Sequence, residues 1–491
     1  MIDSERTDAP QRPGGIPGPL ETRCSRSPSC LGVLVSVVLL AGTATAQTLT
    51  PDQRMLREVY RELVEIDTTD SVGDNTRAAQ AMAARLTAGG LPAQDVRVIV
   101  HPGNARKGNL VARLHGNGAR KPLLLLAHLD VVEAKREDWR RDPFKLVEEN
   151  GYFYARGASD DKAMGAALVA ILLRLKREGY APDRDLILAL TADEEVIPSP
   201  YSGIEYLLEQ HRDLIDAALA LNEGGRGVID RNGRYLYHGI QAGEKVFQSF
   251  RLEVTNPGGH SSLPVRDNAI YQLAEGLARL GRFDFPFKLS PVTRAYFERV
   301  SGFETGQSAA DMKAILREPP DPAAIARLSA TAAHNSQFRT TCVATMLDAG
   351  HATNALPQRA RAVVNCRVLP GESVDEVERT LTRVLADDRI KLARMGEPVL
   401  SPPSPLTPEI MRPVEQVSAQ MWPGVPVIPT MAVGATDGRF LNNAGIPTYG
   451  ITGQFRDLDG SGVHGLNERI RVKSLDEGYE FLYRLVKALS S

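Results

Sequence analysis

Leu123-Leu124-Leu125-Leu126-Ala127-His128-Leu129-Asp130 is an apolar run that stops at a histidine, with an aspartate two residues further on. Four consecutive leucines after Pro122 suit a strand covered on both faces, the kind found in parallel sheets packed between helices. Ligands of such sheets gather beyond the carboxyl ends of the strands, which is where His128 and Asp130 fall. A metal-ligating histidine usually donates its other ring nitrogen to a carboxylate or a carbonyl. The dipeptide spacing therefore reads either as a ligand with its orienter or as an ordinary strand end.

The same pattern recurs downstream. Asp185–Leu190 is a second buried-type strand and ends in Thr191-Ala192-Asp193-Glu194-Glu195; Ala217–Leu221 is a third and ends in Asn222-Glu223-Gly224-Gly225. Between the first two lies Gly157-Ala158-Ser159-Asp160-Asp161-Lys162, ahead of a helix from Ala163 to Glu178. Acids at a helix start are ordinarily explained by the exposed amides and the dipole there. A run of three acids alone would be a solvated loop. Three apolar strands that each stop at a carboxylate or a histidine are explained by neither.

Outward from this core the chain alternates helices and strands, the texture of an α/β domain with a mostly parallel central sheet. Helices are expected over 51–66 and 76–86, and strands over 96–100 and 109–114. After Gly243 the texture changes: an alternating strand at 246–254, a turn-rich loop through His260, a helix at 268–280, a hairpin formed by 340–347 and 360–369, and an amphipathic helix at 373–386. That order suits an inserted α+β lid or dimerisation domain, an antiparallel sheet with helices on one face. Residues 283–338 elaborate it with an expected helix near 309–316 and no readable role. The Pro-rich 401–408 is a link back to α/β texture, with a helix at 409–421 and another at 474–489. The expected organisation is thus a leader at 1–46, a catalytic domain at 47–242 and 401–491, and a lid at 243–400.

Arg23 and Arg26 precede the apolar run Leu31–Ala41, and Ala44-Thr45-Ala46 offers a small-residue cleavage site before Gln47. This is the layout of a signal peptide, with an uncleaved anchor as the other reading, and it implies export. Cys24 and Cys30 would leave with the leader. Cys342 and Cys366 remain, to pair or to stay as buried thiols. With 58 basic and 60 acidic residues and a formal net charge of -2, nothing favours nucleic acid or an anionic membrane as a partner.

Together the strand ends and the loop Ser461-Gly462-Val463-His464-Gly465 supply His128, Asp160, Glu194, Glu195, Glu223 and His464. Histidine and carboxylate without thiolate suit zinc, and also cobalt or manganese. These residues resemble the di-zinc metallopeptidases that include aminoacylase-1, carboxypeptidase S, glutamate carboxypeptidase, acetylornithine deacetylase and succinyl-diaminopimelate desuccinylase. The matching motifs are His128-Leu-Asp130, Gly157-Ala-Ser-Asp160-Asp-Lys162, Asp193-Glu194-Glu195, Asn222-Glu223-Gly-Gly225, Gly259-His260-Ser261, Asn354-Ala-Leu-Pro357, Gly434-Ala-Thr-Asp437 and Val463-His464-Gly465.

The resemblance implies a fold, two Zn2+ per chain, and roles. His128 and Glu223 would be terminal ligands, Asp160 the bridge, and Glu195 and His464 the ligands of the second metal. Asp130 would orient His128. Glu194 would be the general base toward a metal-bridging hydroxide that attacks a peptide or N-acyl amide bond next to a free carboxylate. His260 would reach into the partner subunit's site of a homodimer and hold the oxyanion. Asn354 and Arg367 match positions that bind the substrate, a guanidinium being able to grip a carboxylate bidentately. Arg439 is a candidate for the same work or a surface ion pair. Asn365 departs from the aspartate of many relatives, and Glu223 matches the aminoacylase and carboxypeptidase S branch, so substrate identity stays open. A metal-binding scaffold without catalysis is the alternative from another class, and it would need a broken base or ligand.

Overall fold

The leucine run becomes the strand Leu123–His128, with all six residues buried, near the centre of a ten-stranded sheet. The computed structural model describes residues 49–491; the signal peptide, its cleavage site, Cys24 and Cys30 lie outside the described residues. Leu123–His128 pairs in parallel with Leu186–Thr191 on one side and Leu219–Asn222 on the other, and Thr448–Gly450 continues the parallel run. The flanks are antiparallel, through Gly108–Leu114 and Val96–Val100 on one side and Tyr235–Glu244 on the other. The sheet is therefore mixed, and its parallel centre brings three carboxyl ends side by side, as a doubly covered sheet must.

Helices seal the faces. Pro51–Val64 starts on a capping box, Thr50 with Gln53, which satisfies amides the helix cannot bond itself. Lys162–Arg177 is buried along most of its length and packs against Pro51–Val64 and the last helix, Val472–Leu489. Such burial explains why its sequence is Ala- and Leu-rich all round. No helix among the described residues is long and apolar enough to cross a membrane.

A second sheet is wholly antiparallel, in the order Thr341–Ala349, Arg359–Val368, Val246–Thr255, Lys391–Met395. Helices Ala269–Leu280 and Val374–Leu385 supply Leu273, Leu381 and Leu385 to one core with Phe250, Val254 and Val364. The hairpin at 340–369 forms as expected, and Cys342 and Cys366, opposite each other in its register, are joined by a disulfide. Strand Lys391–Met395 has a half-exposed, charged pattern that a hydrophobic reading passes over.

Residues 283–338 carry more structure than the one helix expected: Pro291–Val300, Gly306–Ala314, Pro322–Ser329 and Ala332–Phe338. Their core of Phe297, Met312, Leu328 and Phe338 includes Ile428 of the strand Val427–Ala432, so this segment packs against the large sheet. Val427–Ala432 is bonded to Tyr235–Glu244, and two of its carbonyls accept from side chains of the segment, Val427 from Arg299 at 2.6 Å and Met431 from Gln337 at 3.4 Å. Tyr235–Glu244 carries the large sheet one residue beyond the change of texture at 243.

Candidate metal centre

All the candidate ligands but His464 stand at or close to the end of a strand or the start of a helix. His128 is the last residue of its strand, Glu223 follows Leu219–Asn222 directly, and Glu194 and Glu195 lie just past Leu186–Thr191. Asp160 precedes the helix Lys162–Arg177, and His464 sits between Phe455–Asp457 and Arg469–Arg471 with a positive φ of 60°.

The side chains converge. Asp160 presents Oδ1 to His128 Nε2 at 3.3 Å and Oδ2 to His464 Nε2 at 3.5 Å. Beyond His128 stands Glu223, Oε1 at 3.7 Å; against His464 stands Glu195, Oε2 at 2.9 Å. The result is two histidine–carboxylate pairs on either side of one shared carboxylate. Ligand atoms of His128, Asp160 and Glu195 lie within 4.8 Å of one another, and so do those of His128, Glu194 and Glu223. This donor set fits a pair of divalent cations.

Electrostatics give an independent test of that fit. Burial, reinforced by the charge of Asp160, pushes Glu223 well above the usual carboxylate range. Burial also raises Glu194 well above it, with Asp437, Glu195 and Asp130 adding repulsion. Glu194 Oε1 is buried with no hydrogen-bond partner, a costly state for a carboxylate that nothing else compensates. Hydrogen bonds from His128 and His464 overcome burial at Asp160 and hold it well below its usual value. His464 is raised to about 10 by Asp160 and Glu195. The cluster is short of positive charge, as a site for cations should be.

The orienter differs in detail from the expectation. His128 Nδ1 meets the backbone carbonyl of Asp130 at 3.0 Å, while the Asp130 carboxylate stands at 3.6 Å, beyond hydrogen-bond range. That carboxylate accepts instead from the backbone N–H groups of Glu194 at 3.1 Å and Glu195 at 2.9 Å. Asp130 thus ties the acidic loop to the His128 strand end. Asp193, in the left-handed region at φ 62°, turns away to a buried ion pair with Lys107.

The remaining candidates lie apart from this cluster. His260 is exposed on a two-stranded ribbon, Gly259–His260 with Ala355–Leu356, and Asn354 adjoins it through Ser261 N–H to the Asn354 carbonyl at 3.0 Å. His260 Nδ1 accepts from the Ser262 backbone N–H at 3.2 Å, which leaves the ring hydrogen on Nε2 as a free donor. Arg367 stacks on Phe247 at 4.7 Å; burial and the nearby charge of Arg439 lower its pKa. Neither arginine has a carboxylate partner among the described residues, so no surface ion pair forms at Arg439. Of the other histidines, His238 is buried beside Trp422, Phe455 and Phe481, and burial lowers it to about 3.

Three residues of this region carry no signal in the strand-end pattern. Arg226, three residues after Glu223, donates to the Ser159 carbonyl at 3.0 Å and lies 3.8 Å from Asp160. Glu244 is buried, accepts from Ser401 Oγ at 3.1 Å and Thr436 N–H at 2.8 Å, and burial raises it to about 7. Glu468, four residues after His464, is buried beside the Asp160 loop. For Arg226 and Glu468 a charge three or four positions behind a ligand was the only available clue, and Glu244 offered none.

The profile of peptidase family M20/M25/M40 matches residues 124–488. An N-fatty-acyl-amino acid synthase/hydrolase of Mus musculus, PM20D1, is 30% identical over 382 residues, covering 75% of this chain and 74% of that protein. Among solved structures, an M20 family metallo-carboxypeptidase from Sulfolobus solfataricus superposes with a TM-score of 0.66 at 19% identity, covering 90% of this chain and 99% of its own. A dinuclear metal binding peptidase of Bacillus subtilis superposes with a TM-score of 0.56 at 11% identity, covering 89% and 98%.

Proposed function

Because this chain belongs to peptidase family M20/M25/M40, we propose that it is an exported dinuclear, zinc-dependent amidohydrolase that cleaves an N-acyl amino acid or a small peptide at the amide next to a free carboxylate. The observation that carries this reading is Asp160 facing His128 with one oxygen and His464 with the other. Two bound cations would polarise the scissile carbonyl and lower the pKa of water toward ~7. His128 and Glu223 would hold one, Glu195 and His464 the other, with Asp160 between them; zinc is favoured, with cobalt or manganese able to serve.

Glu194 supplies the proton transfer. Its carboxylate, with Oε1 unpartnered, would be kept ionised by adjacent cations, so that it takes a proton from water and delivers it to the leaving amine. Arg367 and Arg439 form no salt bridge among the described residues and are close enough for one charge to be felt by the other, which suits the substrate's carboxylate, although the charge of Arg439 also acts on Glu244, Asp437 and Glu205. Exposed Ile197, Val433 and Leu466 lie within a few residues of Glu195, Gly434 and His464 and would accept an apolar acyl group, in keeping with the name of the murine relative, an N-fatty-acyl-amino acid synthase/hydrolase. Every base and ligand is intact, so nothing favours a scaffold without catalysis.

Liquid chromatography of a mixed library of N-acyl amino acids and dipeptides tests the assignment. Arg367→Met is expected to raise KM about 10- to 100-fold for substrates with a free carboxylate, as a charge-assisted pair is lost. Their carboxamide analogues should be poor for both enzymes and unaffected by the change. Equal KM effects on both substrate classes would overturn the role of Arg367.

A homodimer through the second sheet is part of this reading. Its edge strand Thr341–Ala349 leaves Val343, Met346 and Leu347 exposed, and Tyr271 is exposed on the helix beside it, the signature of an unfilled interface. His260, a donor with no contact to its own metal cluster, would then complete the partner's site. Mixing inactive Glu194→Gln and His260→Ala chains is expected to restore up to about a quarter of the activity; isolated heterodimers without recovery would show that His260 acts in its own chain or not at all.

A further inference from the structure

Glu468 is 1% exposed, and four donors converge on its carboxylate. Oε1 accepts from the backbone N–H groups of Ser159 at 2.7 Å and Asp160 at 2.9 Å. Oε2 accepts from the Gly157 N–H at 3.0 Å and from Arg156 Nη1 at 2.9 Å. The Glu468 carbonyl accepts from Ala155 N–H at 3.2 Å, and Arg156 donates on to the Gly465 carbonyl at 2.9 Å. One side chain therefore takes up the amides of the segment that carries Asp160, while its own place in the chain fixes the segment that carries His464. The two segments are about 300 residues apart in sequence.

An ion pair with Arg156 would need only the guanidinium. Three further amides, two of them flanking or belonging to the bridging aspartate, point to a different task. We propose that Glu468 is the positioning residue that sets the spacing of the two metal half-sites, by holding the Asp160 backbone against the His464 loop. It touches neither metal nor substrate, and the proposal rests on the dinuclear reading of the centre. Residues that orient ligands in this way typically account for about 10- to 100-fold in metal affinity.

Glu468→Gln keeps the shape but replaces one acceptor oxygen by an NH2 donor, so in either orientation two of the four donors lose their partner. Arg156→Met removes the ion pair and leaves the three amides bonded. Calorimetric titration of Mn2+ into the chelator-treated full-length chain reads metal binding without turnover, so a wrong substrate leaves the result untouched. The second equivalent is expected to bind at least 10-fold more weakly to Glu468→Gln, and the spin-coupled dimanganese signal in electron paramagnetic resonance should be lost. Arg156→Met should keep both equivalents within about threefold of wild type and retain the coupled signal, with a lower Tm. Glu468→Asp, which keeps the charge but withdraws the oxygens, should behave as Glu468→Gln does and stands in for it where that variant fails to fold. Equal weakening by Arg156→Met, or wild-type binding by Glu468→Gln, overturns the proposal. A wild-type chain that takes up only one equivalent overturns the dinuclear reading, and the proposal with it.

Discussion

Glu194→Gln is expected to lower kcat by about three orders of magnitude, the middle of the range for losing a positioned general base, while both metals stay bound. The glutamine is isosteric and neutral at every pH, so it avoids the repulsion that Asp437, Glu195 and Asp130 exert on the glutamate when it ionises. The variant should therefore be at least as stable as wild type without metal, and a higher Tm with a lost turnover would separate chemistry from folding. Steady-state kinetics beside elemental analysis make the comparison. Near-wild-type kcat with full metal content would remove Glu194 from the mechanism.

Stripping the metals with a chelator is expected to abolish turnover and to make stability fall as pH rises. Burial holds Glu194 and Glu223 well above the usual carboxylate range, Asp161 at about 8 and Asp437 at about 6. These groups keep their protons more firmly when folded. Their contribution is complete below the unfolded value of about 4 and is lost as pH rises through the folded values. His464, raised to about 10, acts in the same sense from about 6.5 upward. Asp160 and Asp130 are depressed, but what they contribute disappears only below about pH 4. Between pH 5 and pH 8 the metal-free Tm should fall by about 5 °C or more, and the metal-loaded Tm should change less. Scanning calorimetry decides it; a metal-free Tm that is flat or rises with pH would mean the cluster's negative charge is already compensated.

The features legible in the sequence were those set by burial. Leu123–His128, Leu186–Thr191 and Leu219–Asn222 are covered on both faces, so their residues had to be apolar and their ends conspicuous. Tyr235–Glu244 was not legible: it holds two glycines, a buried histidine and a buried glutamate, and that histidine packs among Trp422, Phe455 and Phe481 where a strand would be expected to offer an apolar side chain. The ligand types could be read from chemistry, yet the route by which Asp130 acts could not, since His128 meets a backbone carbonyl that every residue possesses. Glu468 and Arg226 are single charges in loops, and only the folded chain shows which amides and carboxylates they serve. The helical segment at 283–338 was opaque for a further reason: its apolar residues face Ile428, which is 90 or more positions further along the chain.

That segment also covers an edge of the large sheet. A strand with unpaired backbone is a template on which another chain can add, and the usual defences are charge, coverage or closure. At Val427–Ala432 the guanidinium of Arg299 and the amide of Gln337 take up carbonyl oxygens, so side chains stand in for a missing neighbour strand. The open edge at Thr341–Ala349 has no such guard and keeps its apolar side chains exposed. The Val427–Ala432 margin is thereby closed to strand addition, whereas the Thr341–Ala349 edge of the second sheet keeps both its backbone and its apolar side chains available to another chain.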